Sequence, residues 1–264
     1  MRPQHTIFLF IGNRAQQGAS LIELMVGITI GLLVVLAATG TIVLNRISAN
    51  TVSDTSMVTS QANSAMRMLV LTLRNTAAFE LQPTDNSAIA VEQIFNLGNP
   101  TNTAPGTISG IDGPSGSADE FTSNFTNRGN AVTRDCLGNQ ALNVHDNIPN
   151  RFFIDSGNLR CQGLAGNPAQ PVAENIEDLQ VLYLTEVGGG TQWLSADAVI
   201  ALGPSTWNQV IAAEICLQIR GEMNHGAALV GNYVNCANVS TAHSNFYRIV
   251  LRQTVQLRNR MNNL

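Results

Sequence analysis

From Gly18 to Asn45 the chain is apolar at almost every position, and the one charged residue in that stretch, Glu23, stands near its start. As a helix, Ala19 to Asn45 would be about 40 Å long at ~1.5 Å per residue, enough to cross a ~30 Å hydrocarbon core. The pattern therefore predicts a membrane span. A carboxyl group inside hydrocarbon costs on the order of 3 kcal/mol on insertion scales, so Glu23 needs a partner or a task. Between Gly40 and Pro83 there is neither glycine nor proline. Apolar residues recur there at helical spacing through Ile47, Val52, Val58, Ala62, Ala65, Met66, Leu69, Val70, Leu73 and Ala77, with Gln61, Asn63, Arg67 and Arg74 off the stripe. The helix is expected to run on past the membrane with one face that a globular domain must cover.

Pro83 to about Gly116 has no sustained period and reads as a long irregular loop, with one short helix at Val91 to Phe95. After it the pattern shifts to short strands. Glu120 to Thr126 is a candidate strand, and Arg151 to Asp155 with Asn158 to Cys161 predicts a hairpin turning at Ser156-Gly157. Leu179 to Thr185 is a strand preceded by a helical turn over Glu174 to Asp178, and Gly188 to Gly190 reads as a hairpin turn. Ala213 to Arg220 puts Ile215, Leu217 and Ile219 on one face. The last strand, from Phe246 to about Arg260, alternates most clearly: Tyr247, Ile249, Leu251, Val255 and Leu257 face one way and Arg248, Arg252, Arg258 and Arg260 the other.

The 264 residues leave, beyond the span, enough chain for one β-containing domain, and the expected class is α+β. All 14 basic residues are arginine. The absence of lysine excludes a Walker A lysine, a Schiff-base lysine and a kinase strand lysine. The net charge is −4; beyond the span, 11 arginines face 17 acids, and a head of that sign exerts no broad pull on nucleic acid. Four cysteines, Cys136, Cys161, Cys216 and Cys236, lie on the side that would be exported, where disulfides are permitted. Sequential pairing, Cys136 with Cys161 and Cys216 with Cys236, brackets one hairpin-like excursion each; four reduced, buried cysteines are the alternative.

No catalytic constellation, metal set or cofactor motif emerges. His145, His225 and His243 are isolated in sequence, and Asp112, Asp119 and Glu120 lack the oxygen-ligand spacing of a calcium loop, so they read as solvated turn acids.

The leader carries Arg2 and Arg14 and ends in Gln-Gln-Gly; a small residue, Ser-Leu-Ile and Glu23 then open the apolar helix. This order resembles the class III signal of type IV prepilins and type II secretion pseudopilins. RDCLG, NRFFIDSGNLRCQG, PVAENIEDLQVLYL and VLRQTVQLRNR together are similar to the PilW family of minor pilins. The resemblance implies a type IV pilin-like fold, a long N-terminal helix packed on an antiparallel β-sheet domain. It divides the chain into a leader (1–18), the transmembrane half of the helix (19–45), its amphipathic half (46–81) and a β-rich head (82–264). It implies cleavage by prepilin peptidase between Gly18 and Ala19, methylation of the Ala19 amine, and pairing of Glu23 with the amine of a neighbouring subunit. Two departures stand out: Ala19 replaces the usual phenylalanine, and the long leader leaves a translation start downstream of Met1 open. Pilins often carry proline where Gly40 stands, and the resemblance implies local unwinding there in the filament.

The function so implied is structural: a single-pass protein of the bacterial inner membrane with a periplasmic head, joining an extracellular pilus through the complex that primes assembly near the tip. Its partners would be major and minor pilins, prepilin peptidase and the inner-membrane assembly platform. A type II secretion pseudopilin is the related alternative. A DNA-binding pilin for uptake is the alternative of another class, resting on the arginine face of the last strand, which reads more simply as a solvated or subunit-contact face.

Overall fold

A computed structural model describes residues 18, 20–77, 108–126, 134–140, 147–164, 166–226 and 231–257. The chain divides into two units, Met1–Asn50 and Thr51–Leu264. One helix, α1, runs from Leu21 to Arg74 without interruption, through Gly40. Up to Asn50 the described side chains are exposed, whereas in the second unit the same helix becomes part of a core.

Among the described residues the second unit holds two main antiparallel sheets. The first has the order β1 (Ile108–Ile111), β2 (Glu120–Thr126), β3 (Asn147–Asp155), β4 (Asn158–Gln162) and β5 (Gln170–Ala173). The second has the order β11 (Phe246–Gln256), β8 (Val210–Asn224), β6 (Ile176–Val187) and β7 (Gly190–Leu194). A short helix, α2 (Ala196–Ala201), follows β7, and β9 (Asn232–Val234) pairs with β10 (Ser240–Ala242) as a small separate hairpin. The expected α+β arrangement, a long N-terminal helix packed on antiparallel sheet, is present.

The core forms where the stripe of α1 meets both sheets. Val58, Ala62, Ala65, Met66, Leu69, Val70 and Leu73 are buried in one cluster with Phe121 and Phe152, Leu159, Leu179, Val181, Ile215, Leu217 and Ile219. Phe121 stacks on Phe152 with ring centroids 5.3 Å apart, and Tyr183 meets Trp207 edge-on at 4.9 Å. Apolar burial of about 25 cal/mol per Å² is the main source of stability here. Polar groups on the helix and just beyond its end also attach it to the sheets. Thr76 shares a 2.6 Å hydrogen bond with Ser123, and the Ala77 N–H donates to the Asn124 carbonyl at 2.8 Å. The Gln61 amide donates to the Glu174 carbonyl at 3.1 Å.

Several sequence expectations change. Val52 is exposed, because the buried stripe continues N-terminally from Val58 to Asp54, one helical turn earlier, and not to Val52. Glu174 to Asp178 is no helical turn: Asn175 takes φ 57°, and β6 already begins at Ile176. The end of the presumed loop is structured, with Ile108–Ile111 pairing onto β2. The helix expected at Val91 to Phe95, and Leu81 at the expected end of α1, lie outside the described residues. The hairpin of β3 and β4 turns at Ser156 and Gly157, both at positive φ, which fits the right-handed twist of a tight hairpin.

Candidate functional site

Glu23 lies in the first turn of α1, where the Leu24 N–H donates to the Ser20 carbonyl at 3.1 Å. A carboxylate there suits the positive end of the helix dipole. The surface around it is apolar: Leu21, Ile22, Leu24, Met25 and Val26 are all exposed. Polar side chains further along turn inward. Thr29 donates to the Val26 carbonyl at 2.9 Å, Thr39 to that of Val35 at 2.9 Å, and Thr41 to that of Ala38 at 2.8 Å. Such back-bonding keeps hydroxyls satisfied where no water is at hand. A Cβ built on Gly27, Gly31 or Gly40 would meet nothing within 4 Å, so no contact within the described chain requires a glycine at these positions. This helix is long and apolar enough to cross a membrane. Gly18 is exposed; Ala19, on the other side of the expected cut, lies outside the described residues.

The four cysteines form two disulfides, Cys136–Cys161 and Cys216–Cys236, with Cα atoms 6.4 and 5.7 Å apart. The first holds the segment 134–140 to β4. Asp135 organises that segment by accepting from the N–H groups of Leu137 (2.9 Å), Asn139 (2.8 Å) and Leu164 (2.9 Å), and from the Asn139 amide (2.9 Å). Burial pushes its carboxyl up, but these donors outweigh burial and leave it below the ordinary carboxylate range.

The second disulfide explains the arginine face. Cys216, Gln218 and Arg252 stand on the side of the second sheet turned away from α1, and Cys236 belongs to the excursion that carries β9 and β10. That excursion engages the face that the sequence leaves to solvent. Arg248 donates to Glu177 twice, at 2.7 and 3.0 Å, and to the His243 carbonyl, with its guanidinium over the Tyr233 ring. Gln218 bridges Glu177 at 2.8 Å and the Tyr233 hydroxyl at 3.1 Å. Arg252 donates to the carbonyls of Asn235 (2.6 Å) and Cys236 (3.1 Å). Burial pushes the Glu177 carboxyl up, yet Arg248, Gln218 and Arg220 together hold it below its usual range. Arg248 and Arg252 thus serve the fold, and no continuous basic face presents itself among the described residues; Arg258 and Arg260 lie outside them.

The acids and histidines also differ from expectation. Asp112 and Asp119 are not solvated turn acids. Asp112 accepts from the N–H groups of Ala196 (2.8 Å) and Asp197 (2.9 Å) at the start of α2, and buried Asp119 accepts from those of Gly113 (3.0 Å) and Val181 (2.8 Å). Burial raises the Asp119 carboxyl despite these bonds. His225 is not isolated: its Nε2 meets Asp54 at 2.8 Å. His243 packs between Tyr233 and Tyr247, with ring centroids 5.1 and 5.5 Å away, while His145 lies outside the described residues. The sequence does hold one signal for Asp54, an acid one turn before Val58 where the apolar stripe should continue. Among the described residues no three His, Cys, Asp or Glu side chains gather to hold a metal.

Comparison with known proteins bears on both ends of the chain. Residues 149–259 match the family of Type IV pilus-assembly protein W, and residues 13–39 match the prokaryotic N-terminal methylation motif. Among solved structures, a type IV-like pilin from Thermus thermophilus aligns over 58% of this chain and 83% of its own, at 15% identity and a TM-score of 0.34. No curated protein sequence matches the chain.

Proposed function

We propose that this type IV minor-pilin-like protein, with a PilW domain behind an N-terminal methylation motif, is a minor pilin of the complex that primes pilus assembly and sits near its tip. Prepilin peptidase would remove the leader after Gly18 and methylate Ala19. The mature protein would wait in the inner membrane with its head in the periplasm, then pass through the assembly platform into a filament beside other pilins. Glu23 would there accept the amine of a neighbouring subunit.

One observation carries this reading: α1 is a single helix whose exposed apolar half holds the Glu23 carboxylate and whose second half is built into the head's core. A tethered enzyme needs no such helical continuity, whereas a filament subunit uses one helix both to pack in the filament and to build its head. In an apolar filament core the carboxylate and the amine neutralise each other. Removing one member of a buried ion pair costs ~3 to 5 kcal/mol, because the other charge is left unpaired.

The test is Glu23→Val expressed in place of the wild type. We expect normal cleavage after Gly18 and a normal membrane level, but loss from sheared filaments. As a mere anchor the helix would tolerate the change or gain from it. Normal filament incorporation by the variant would sink the charge pairing, and absence of cleavage after Gly18 in the wild type would sink the pilin reading.

A further inference from the structure

The second sheet ends in β7, and the composition of that strand is unusual for an edge. Gly190-Thr191-Gln192-Trp193-Leu194 contains no charge and no proline, and its register on β6 runs without a shift from Val187↔Gly190 to Tyr183↔Leu194. Proteins commonly block exposed edges with charges, prolines, bulges or short strands. The other three outer strands of the two main sheets carry such devices: β5 has Pro171, β11 is bulged between Phe246 and Arg248 and carries arginines, and β1 has four residues. β7 has five residues and carries no charge, proline or bulge.

The turn fixes which backbone groups β7 offers. With two residues in the turn, Gly188 and Gly189, the closing pair Val187 and Gly190 exchanges hydrogen bonds, and alternate pairs follow suit. Gly190, Gln192 and Leu194 therefore point their N–H and C=O groups at β6. Thr191 and Trp193 point theirs outward, where no strand among the described residues pairs with them. Beside this row lies apolar surface. Trp193 is 43% exposed opposite Leu184, and Leu182 on the same face is 40% exposed. Two donors and two acceptors at strand spacing, flanked by an aromatic side chain, match an extended backbone and not a helix or a small anion.

We infer that β7 is a docking edge that receives an extended, uncharged edge strand from the head of another pilin, with an apolar side chain set against Trp193. The inference rests on the pilin reading for the class of its partner. The added strand would lengthen the second sheet by one, pairing with Thr191 and Trp193.

The experiment uses the full-length protein in membranes, made together with the other pilins of its host, with the photoreactive p-benzoylphenylalanine in place of Trp193. We expect a crosslink to a single peptide within an edge strand of another pilin's head. Thr191→Pro removes one outward donor and no bond to β6, and should cut the crosslink at least tenfold while both disulfides and the thermal midpoint stay as in the wild type. Thr191→Lys leaves the backbone intact, adds the usual blocking charge, and should act likewise if the proline variant does not fold. Gln192→Pro, which breaks the ladder to β6, marks what loss of the strand itself looks like. A crosslink to a helix, no crosslink, or one unchanged by both Thr191 variants would overturn the inference. A crosslink between two copies of this chain would overturn the occupant and make β7 a self-association edge. The mature N-terminus is read in the same samples: missing cleavage after Gly18 refutes the pilin reading, whereas normal cleavage without the crosslink refutes only the docking edge.

Discussion

The carboxylate of Asp54, fully buried on α1, meets Nε2 of His225 at 2.8 Å across 171 residues of sequence. It also accepts from the Glu222 N–H at 3.2 Å, so one side chain on the helix closes off the end of β8. Gly221 makes this approach feasible. A Cβ there would lie 2.5 Å from Asp54 Oδ2, and that oxygen cannot move aside without leaving His225.

Asp54→Leu should therefore destabilise the head by about 2 kcal/mol, since it removes the carboxyl that accepts from the Glu222 N–H and meets the largely buried imidazole of His225. Gly221→Ala should lower stability in the same direction while leaving the Asp54 chemistry in place. Thermal unfolding of the full chain in detergent, followed by near-UV circular dichroism, checks both; a midpoint unchanged in both variants would show that the contact contributes nothing.

Replacing Cys216 and Cys236 by serine should cost about 3 kcal/mol on the chain-entropy model for a separation of 20 residues. The loss should be felt first by the β9–β10 excursion, which Arg248, Arg252 and Gln218 also anchor. Hydrogen exchange should rise in residues 231–243 before it rises in β8, and peptide mapping without reductant should recover both native pairs from the wild type.

Glu177 makes a distinct prediction about pH. Its carboxyl is held below the ordinary value in the folded protein, so it contributes stability that is fully present above about pH 4.3, the unfolded value, and is lost as pH falls through the folded one. Glu177→Gln should be less stable than the wild type at pH 7, and the gap should narrow on acidification below about pH 4. Asp119, raised first of all by burial, acts in the opposite sense and cancels in the difference, whereas Asp178, raised first by burial and further by the Glu177 charge, is relieved of that second part in the variant, which makes the gap at pH 7 smaller. Urea midpoints of both proteins at pH 7 and pH 3.5 decide it; a gap that does not change with pH would assign Glu177 no electrostatic part.

What the sequence determined by itself is local. The apolar run with Glu23, the stripe from Val58 to Leu73, the strand Glu120–Thr126 and the turns at Ser156-Gly157 and Gly188-Gly189 all follow from side-chain period and turn chemistry within a few residues. The two disulfide pairs were also within reach, because each joins cysteines near in sequence. Tertiary structure decided whatever depends on which distant segment comes to lie alongside. Arg248 and Arg252 look solvated when only their strand is considered, and the β9–β10 excursion gives them partners in Glu177 and the carbonyls of Asn235 and Cys236. Asp112 reads as a turn acid until α2 arrives with its unpaired N–H groups, and Asp54 reads as a polar interruption of the stripe until His225 and the end of β8 close over it. Periodicity reports which face of an element is buried. Only the folded chain supplies the donors that make a charge on that face tolerable, because an unpaired charge there would be too costly to bury.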